Sequence, residues 1–272
     1  MRDTDTPEAP AAADGAGPIE VTSYVRLDGQ VAVVTGASAG LGARFARVLH
    51  AAGADVVLAA RRLDRLEALA AELGDRTLAV GCDVAQDADC ERLVATALER
   101  FGQIDILVNN AGIGKTVAAE DEPVDHFREV VDVNVTAMFR LCQLVGREML
   151  ARGTGTIVNL ASILGLVASA PIKQASYAAS KGAVVNLTRE LSGQWSRRGV
   201  RVNALAPGWF ASEMTHDMWH DEQSMEYVRR NTPMGRGGRE HELDAALLFL
   251  AGPGSSYVTG HVLTVDGGWT SR

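Results

Sequence analysis

From Val31 to Val265 the chain alternates short apolar runs rich in Val, Ile, Leu and Ala with longer stretches whose apolar residues recur every three or four positions. The short runs read as strands buried on both faces, the longer ones as amphipathic helices. Seven strands are predicted, at Val31–Thr35, Asp55–Ala60, Thr77–Cys82, Ile106–Asn109, Thr156–Leu160, Arg201–Ala206 and His261–Val265. Helical segments begin near Leu41, Leu63, Asp87, Pro123, Gln174 and Arg239. Strands separated by helices cannot be joined as hairpins, so the pattern predicts a single α/β domain with a seven-stranded parallel sheet covered on both faces.

Two stretches depart from this alternation. Residues 212–238, between the last two strands, are rich in Met, Trp, His and charge and read as an inserted substrate flap, with Met214, Met218, Trp219 and Met225 as adaptable apolar lining. His216 and His220 have helical ligand spacing but no third candidate nearby, so no metal is inferred. Residues 1–24 are rich in Pro, Ala and Asp, lack the basic start and apolar core of a signal peptide, and read as a disordered tail before a domain at 25–272. No apolar run approaches the roughly 20 residues of a membrane span. No repeat of fixed period is present, which excludes solenoids.

Composition narrows the function. A formal charge of −8 with no basic cluster argues against nucleic-acid partners. Cys82, Cys90 and Cys142 have neither an even count nor metal-ligand spacing and read as buried thiols in a reducing cytoplasm. A small-molecule site remains.

The first strand runs into Thr35-Gly36-Ala37-Ser38-Ala39-Gly40-Leu41-Gly42 and then a helix. Glycines at such a turn permit positive φ and close backbone approach, and the free N–H groups of the helix favour a pyrophosphate. The second strand ends Ala59-Ala60-Arg61-Arg62. No acid stands at Ala60 to bind ribose hydroxyls, while Arg61 offers forked donors to a 2′-phosphate, favouring NADP(H) over NAD(H), which stays possible. Ala39 offers no basic residue to support that preference.

Tyr177 and Lys181 are four apart in a helical stretch and project from one face. A neighbouring ammonium favours phenolate and is expected to pull the tyrosine below its usual value of about 10. Ser162 follows the fifth strand, at the sheet edge where ligands bind in open parallel sheets, and suits orientation of a substrate carbonyl. Ser169 and Ser176 are rival hydroxyls that do not directly follow the strand.

The spacing Gly36-x-x-x-Gly40-x-Gly42 departs from the usual dinucleotide fingerprint and, with Asn109-Asn110-Ala111-Gly112 and Tyr177-x-x-x-Lys181, resembles the short-chain dehydrogenase/reductase family, in the common cytoplasmic branch that includes 3-oxoacyl-ACP reductases. The resemblance runs from about Leu27 onward and implies a Rossmann fold. It puts the catalytic set on Asn134, Ser162, Tyr177 and Lys181, with Asn134 holding a water that links Lys181 to solvent. It implies cofactor contacts from Gly36, Ser38, Gly40, Leu41, Gly42, Arg61, Arg62, Asp83, Val84, Asn110, Ala111, Gly112, Tyr177, Lys181, Pro207, Gly208, Phe210 and Ser212. The Ser162–Tyr177 interval is two residues longer than usual in the family, which predicts a bulged loop at the substrate entrance.

The resemblance also implies a homotetramer or dimer, with subunit contacts from 123–150, 174–198 and the last strand. The expected function is NADP(H)-linked hydride transfer between a ketone and a secondary alcohol, with carbonyl reduction the favoured direction. An alternative is an NAD(H)-dependent alcohol, polyol or steroid dehydrogenase. A competitor from another class, an inactive cofactor-binding regulator, predicts a damaged Ser/Tyr/Lys set, whereas this one is intact.

Overall fold

A computed structural model describes residues 20–168 and 170–271. Seven parallel strands, β1 (Val31–Thr35), β2 (Asp55–Ala60), β3 (Thr77–Gly81), β4 (Ile106–Asn109), β5 (Gly155–Leu160), β6 (Val200–Pro207) and β7 (Val262–Val265), form one sheet in the order β3-β2-β1-β4-β5-β6-β7. The predicted strands are all present, with ends shifted by at most one residue. Chain order reverses between β1 and β4, so their carboxyl ends open a crevice there.

Side chains of β1 and β2 alternate between two cores. Val31, Val33, Val57 and Ala59 face α3 (Asp87–Phe101), α5 (Ala137–Arg152) and α6 (Ala175–Trp195). Ala32, Val34, Val56 and Leu58 face α1 (Gly40–Ala51), α2 (Leu63–Leu73) and α9 (Asp244–Ala251). Period-two alternation with both faces apolar is what made these strands read as continuous hydrophobic runs.

The segment starting near Pro123 differs from a single regular helix. It comprises α4 (Val124–Val131), a π turn at Asp132–Thr136, and α5. The flap folds as α7 (His216–His220) and α8 (Glu222–Asn231), and buried Val228 anchors it on Ile163, Leu164, Trp209 and Trp269. Residues 1–19 of the expected tail lie outside the described residues, as does Ser169; Val21–Tyr24, assigned to the tail on sequence, form a 3-10 turn. Among the described residues no helix is long and apolar enough to cross a membrane, and no group of three or more His, Cys, Asp or Glu side chains could hold a metal ion.

Candidate active site

A cleft of about 480 Å³ opens at the carboxyl edge of the sheet, walled by the turn after β1, the ends of β2 to β6, α6 and the start of the flap. Every residue expected to touch cofactor lines it. Gly36 and Gly40 have φ of +66° and +51°, conformations costly for any residue with a Cβ. Gly42 meets a different demand: an added Cβ would overlap the Gly36 carbonyl and reach 2.5 Å from Asn110 Nδ2, so only glycine lets α1 pack this closely on the turn. The α1 amino terminus has no side-chain cap and no acid in its first turn, leaving its N–H groups to an anion.

Several expected cofactor residues also hold the cleft together. Asn110 Nδ2 donates to Thr35 O at 2.8 Å, while Thr35 Oγ1 accepts from the N–H groups of Asn110 and Ala111, both at 3.0 Å. The Asp83 carboxylate accepts from Ala85 N at 3.1 Å. Phe210 is buried with its ring against Gly238. Ser212 and Thr215 hydroxyls lie 3.0 Å apart in the turn that starts the flap.

The two arginines after β2 part company. Arg61 is exposed on the cleft rim. Arg62 turns inward and donates from Nε and Nη2 to Ser38 Oγ at 3.1 and 3.0 Å, and from Nη1 and Nη2 to Glu213 at 2.9 and 2.8 Å.

Lys181 is 3 % exposed and donates from Nζ to Leu160 O at 2.6 Å. Its ammonium sits 5.5 Å from the Tyr177 ring centroid, as the i, i+4 spacing requires. The expected downward pull on Tyr177 is overturned. Burial pushes its phenol up to about 12, with the Ser162 hydroxyl pulling partly back, and lowers Lys181 to about 8. Spacing discloses a neighbouring cation but not the loss of water around both groups, and desolvation penalises each charged form. Ser162 is extended just beyond β5, and its Oγ accepts from Leu164 N at 3.1 Å. The longer loop after it leaves Ser162 on the strand end, and Tyr227 of the flap donates to Ala170 O at 2.7 Å, tying flap to loop.

Asn134 stands behind the cleft, fully buried on the π turn. Its Oδ1 accepts from Ile113 N at 2.8 Å, and its Nδ2 donates to Ile113 O at 2.8 Å and Ser180 Oγ at 3.0 Å. The side chain therefore clamps the loop after β4, at Ile113, to α6. A buried polar chain does the same deeper down: Asn109 Nδ2 donates to Asn159 Oδ1 at 3.0 Å, and Asn159 Nδ2 to Thr188 Oγ1 at 3.0 Å, fixing α6 against β4 and β5.

Two residues escaped the sequence reading. Glu122 accepts from Ser176 N at 3.3 Å and from the Ser176 hydroxyl, and lies 2.8 Å from His126 Nδ1, so it caps the first turn of the Tyr177 helix; the Ser176 hydroxyl holds its carboxyl below the usual range. The Ser176 hydroxyl is thereby committed to Glu122 rather than to a substrate carbonyl. Glu213 meets both Arg62 and Arg65. Neither acid belongs to a local motif; only an amino-terminal helix position lacking a local cap, at Gln174, hinted at the first.

A family model described as enoyl-(acyl carrier protein) reductase matches residues 36–270. Galactitol 2-dehydrogenase (L-tagatose-forming) of Cereibacter sphaeroides is 46 % identical over 253 residues, 93 % of this chain and 99 % of that protein. Gluconate 5-dehydrogenase of Gluconobacter oxydans is 40 % identical, covering 90 % of this chain and 96 % of that one. The crystal structure of a gluconate 5-dehydrogenase from Burkholderia cenocepacia in complex with NADP and tartrate superposes with a TM-score of 0.89 at 37 % identity, covering 93 % of this chain and all of that one. The chain belongs to the short-chain dehydrogenase/reductase family. It is an oxidoreductase of the CH–OH/C=O class that uses a nicotinamide dinucleotide.

Proposed function

We propose that this enzyme interconverts a ketone and a secondary alcohol on a small polyhydroxylated molecule, a polyol or sugar acid, with NADP(H) as the preferred dinucleotide. The observation that carries the reaction is the convergence of Ser162, Tyr177 and Lys181 on one end of the cleft whose other end is the glycine turn. The substrate class is supported by the galactitol and gluconate dehydrogenases among its relatives. The dinucleotide preference is supported by Arg61, Arg62 and Ser38 around a strand end with no acid at Ala60.

The residues fit the cofactor: the uncapped α1 terminus and positive-φ glycines suit its pyrophosphate, and Pro207, Gly208, Phe210 and Ser212 close the nicotinamide end. When bound, NADP(H) supplies or accepts the hydride at the substrate carbon. In reduction, Tyr177 donates its proton to the substrate oxygen, a role suited to a phenol that burial keeps protonated through the neutral range. Ser162 donates to the same oxygen and stabilises its developing charge. Lys181 places an ammonium beside the phenol and lowers the cost of charge on it. Asn134 holds the loop at Ile113 that lines the cleft near Lys181.

A second reading, an apolar or cyclic ketone, is favoured by the apolar side chains of Ile113, Val133, Leu160 and Met214 along the cleft. A screen of polyols, sugar acids, cyclic ketones and β-keto thioesters with NADPH and NADH separates the two. Tyr177→Phe is expected to lower kcat on the best substrate by at least about 10²-fold with its fold retained; near-parental turnover refutes the assignment. We also read the chain as a homotetramer, with a dimer as the alternative. Exposed Val124, Phe127 and Phe139 on α4 and α5 and the incompletely covered edge strand β7 support association.

A further inference from the structure

Glu213, the first residue of the flap beyond Ser212, lies between two guanidinium groups. Its Oε1 accepts from Arg62 Nη1 at 2.9 Å and Arg65 Nη1 at 2.7 Å, and its Oε2 from Arg62 Nη2 at 2.8 Å. Arg62 simultaneously reaches the Ser38 hydroxyl in the glycine turn. A carboxylate thus occupies a cluster of guanidinium donors with a hydroxyl beside it; Ser38, Arg62 and Glu213 line the cleft, and Arg65 reaches Glu213 from α2. That donor set is what a phosphate monoester takes.

We propose that Glu213 sets dinucleotide specificity by competing with the 2′-phosphate for Arg62 and Arg65. The inference rests on the reading that this strand end receives the adenosine ribose. The guanidiniums hold Glu213 at about 2, so it is ionised at any working pH and its charge is always in competition. The three side chains are about half exposed, and exposed ion pairs contribute little. A phosphate carrying about −1.5 to −2 charge and three acceptor oxygens therefore displaces the carboxylate. The displacement still subtracts from phosphate affinity. A dinucleotide bearing only a 2′-hydroxyl leaves the Glu213 contacts in place and carries no such penalty.

Two acids of equal charge would thus discriminate differently along the chain. An acid at position 60 would hold ribose hydroxyls directly, whereas Glu213 acts only by occupying the arginines. The chain is consequently expected to accept both dinucleotides with a modest preference, and that preference is adjustable from the flap.

The test measures dissociation constants for NADPH and NADH by fluorescence titration in the full-length parent, Glu213→Gln and Glu213→Ala. The expected result is a rise of roughly 3- to 10-fold in the NADH/NADPH ratio of dissociation constants in both variants. In an Arg62→Ala/Arg65→Ala background, Glu213→Gln is expected to leave that ratio unchanged. NADPH bound by the parent with a ratio unmoved, or moved toward NADH, in both variants overturns the inference and leaves the cofactor reading standing. Failure of parent and variants alike to bind NADPH overturns both. A ratio shift that persists without the two arginines also overturns the inference, since the charge would then act without them.

Discussion

Replacing Asn134 by alanine probes the clamp behind the cleft. Three hydrogen bonds disappear, each worth about 1 kcal/mol net, and the Ile113 N–H and C=O, in the loop after β4, lose their side-chain partners. The expected loss is about 3 kcal/mol, which for a domain of this size lowers Tm by roughly 6–12 °C. Catalysis suffers separately. A Cβ built on Gly112, next to Ile113, would come within 3.2 Å of Asn134 Oδ1 and 3.6 Å of Lys181 Nζ, so this segment borders the ammonium and loosening it lets the ammonium drift from Tyr177. Misplacement by about 1 Å is expected to cost about 10²-fold in kcat. Scanning calorimetry and turnover at saturating cofactor measure the two effects. Asn134→Asp is the sharper control, because it retains the acceptor for Ile113 N but turns a carboxylate oxygen toward Ile113 O. A melting point within about 2 °C of the parent, together with turnover within about twofold for the alanine variant, would refute the clamp.

Two further outcomes follow from the site. Gly42→Ala, a change that usually stabilises an exposed helix, is expected to weaken dinucleotide binding by at least about tenfold, because its methyl group overlaps backbone at Gly36; titration with NADPH checks this, and unchanged affinity contradicts the close packing. Burial lowers Lys181 to about 8 while Tyr177 stays protonated to about 12, so the ammonium is present below about pH 8 and lost above it. Reductive kcat is therefore expected to fall along a limb near pH 8 that disappears in Lys181→Arg, whose guanidinium keeps its charge; a limb that survives unchanged assigns it elsewhere.

The strands were legible because each is an apolar run bounded by polar residues or glycine, and the glycine turn because it joins the end of the first strand directly to a helix start. Ser162, Tyr177 and Lys181 were legible from position relative to β5 and from a four-residue interval. What escaped detection depends on contacts without local periodicity. Glu122 lies 54 residues from Ser176, and Glu213 lies 151 from Arg62. The choice between Arg61 and Arg62 turned on side-chain direction at the start of α2, which adjacent identical residues cannot disclose. The Tyr177 shift had the wrong sign because solvent exclusion belongs to the folded environment. The π turn was invisible because its one-residue phase change is smaller than the uncertainty of a helix boundary.

That phase change lets one continuous rod serve two unrelated geometries. Each residue of a helix advances the side-chain direction by about 100°. The wide turn at Asp132–Thr136 absorbs one such step, so Asn134 can face Ile113 while Met138, Leu141, Val145 and Met149 still face the core. A single deletion within these five residues would force a choice: a regular helix could keep its buried stripe or its grip on Ile113. A substitution-tolerant but length-intolerant segment is the signature to expect there.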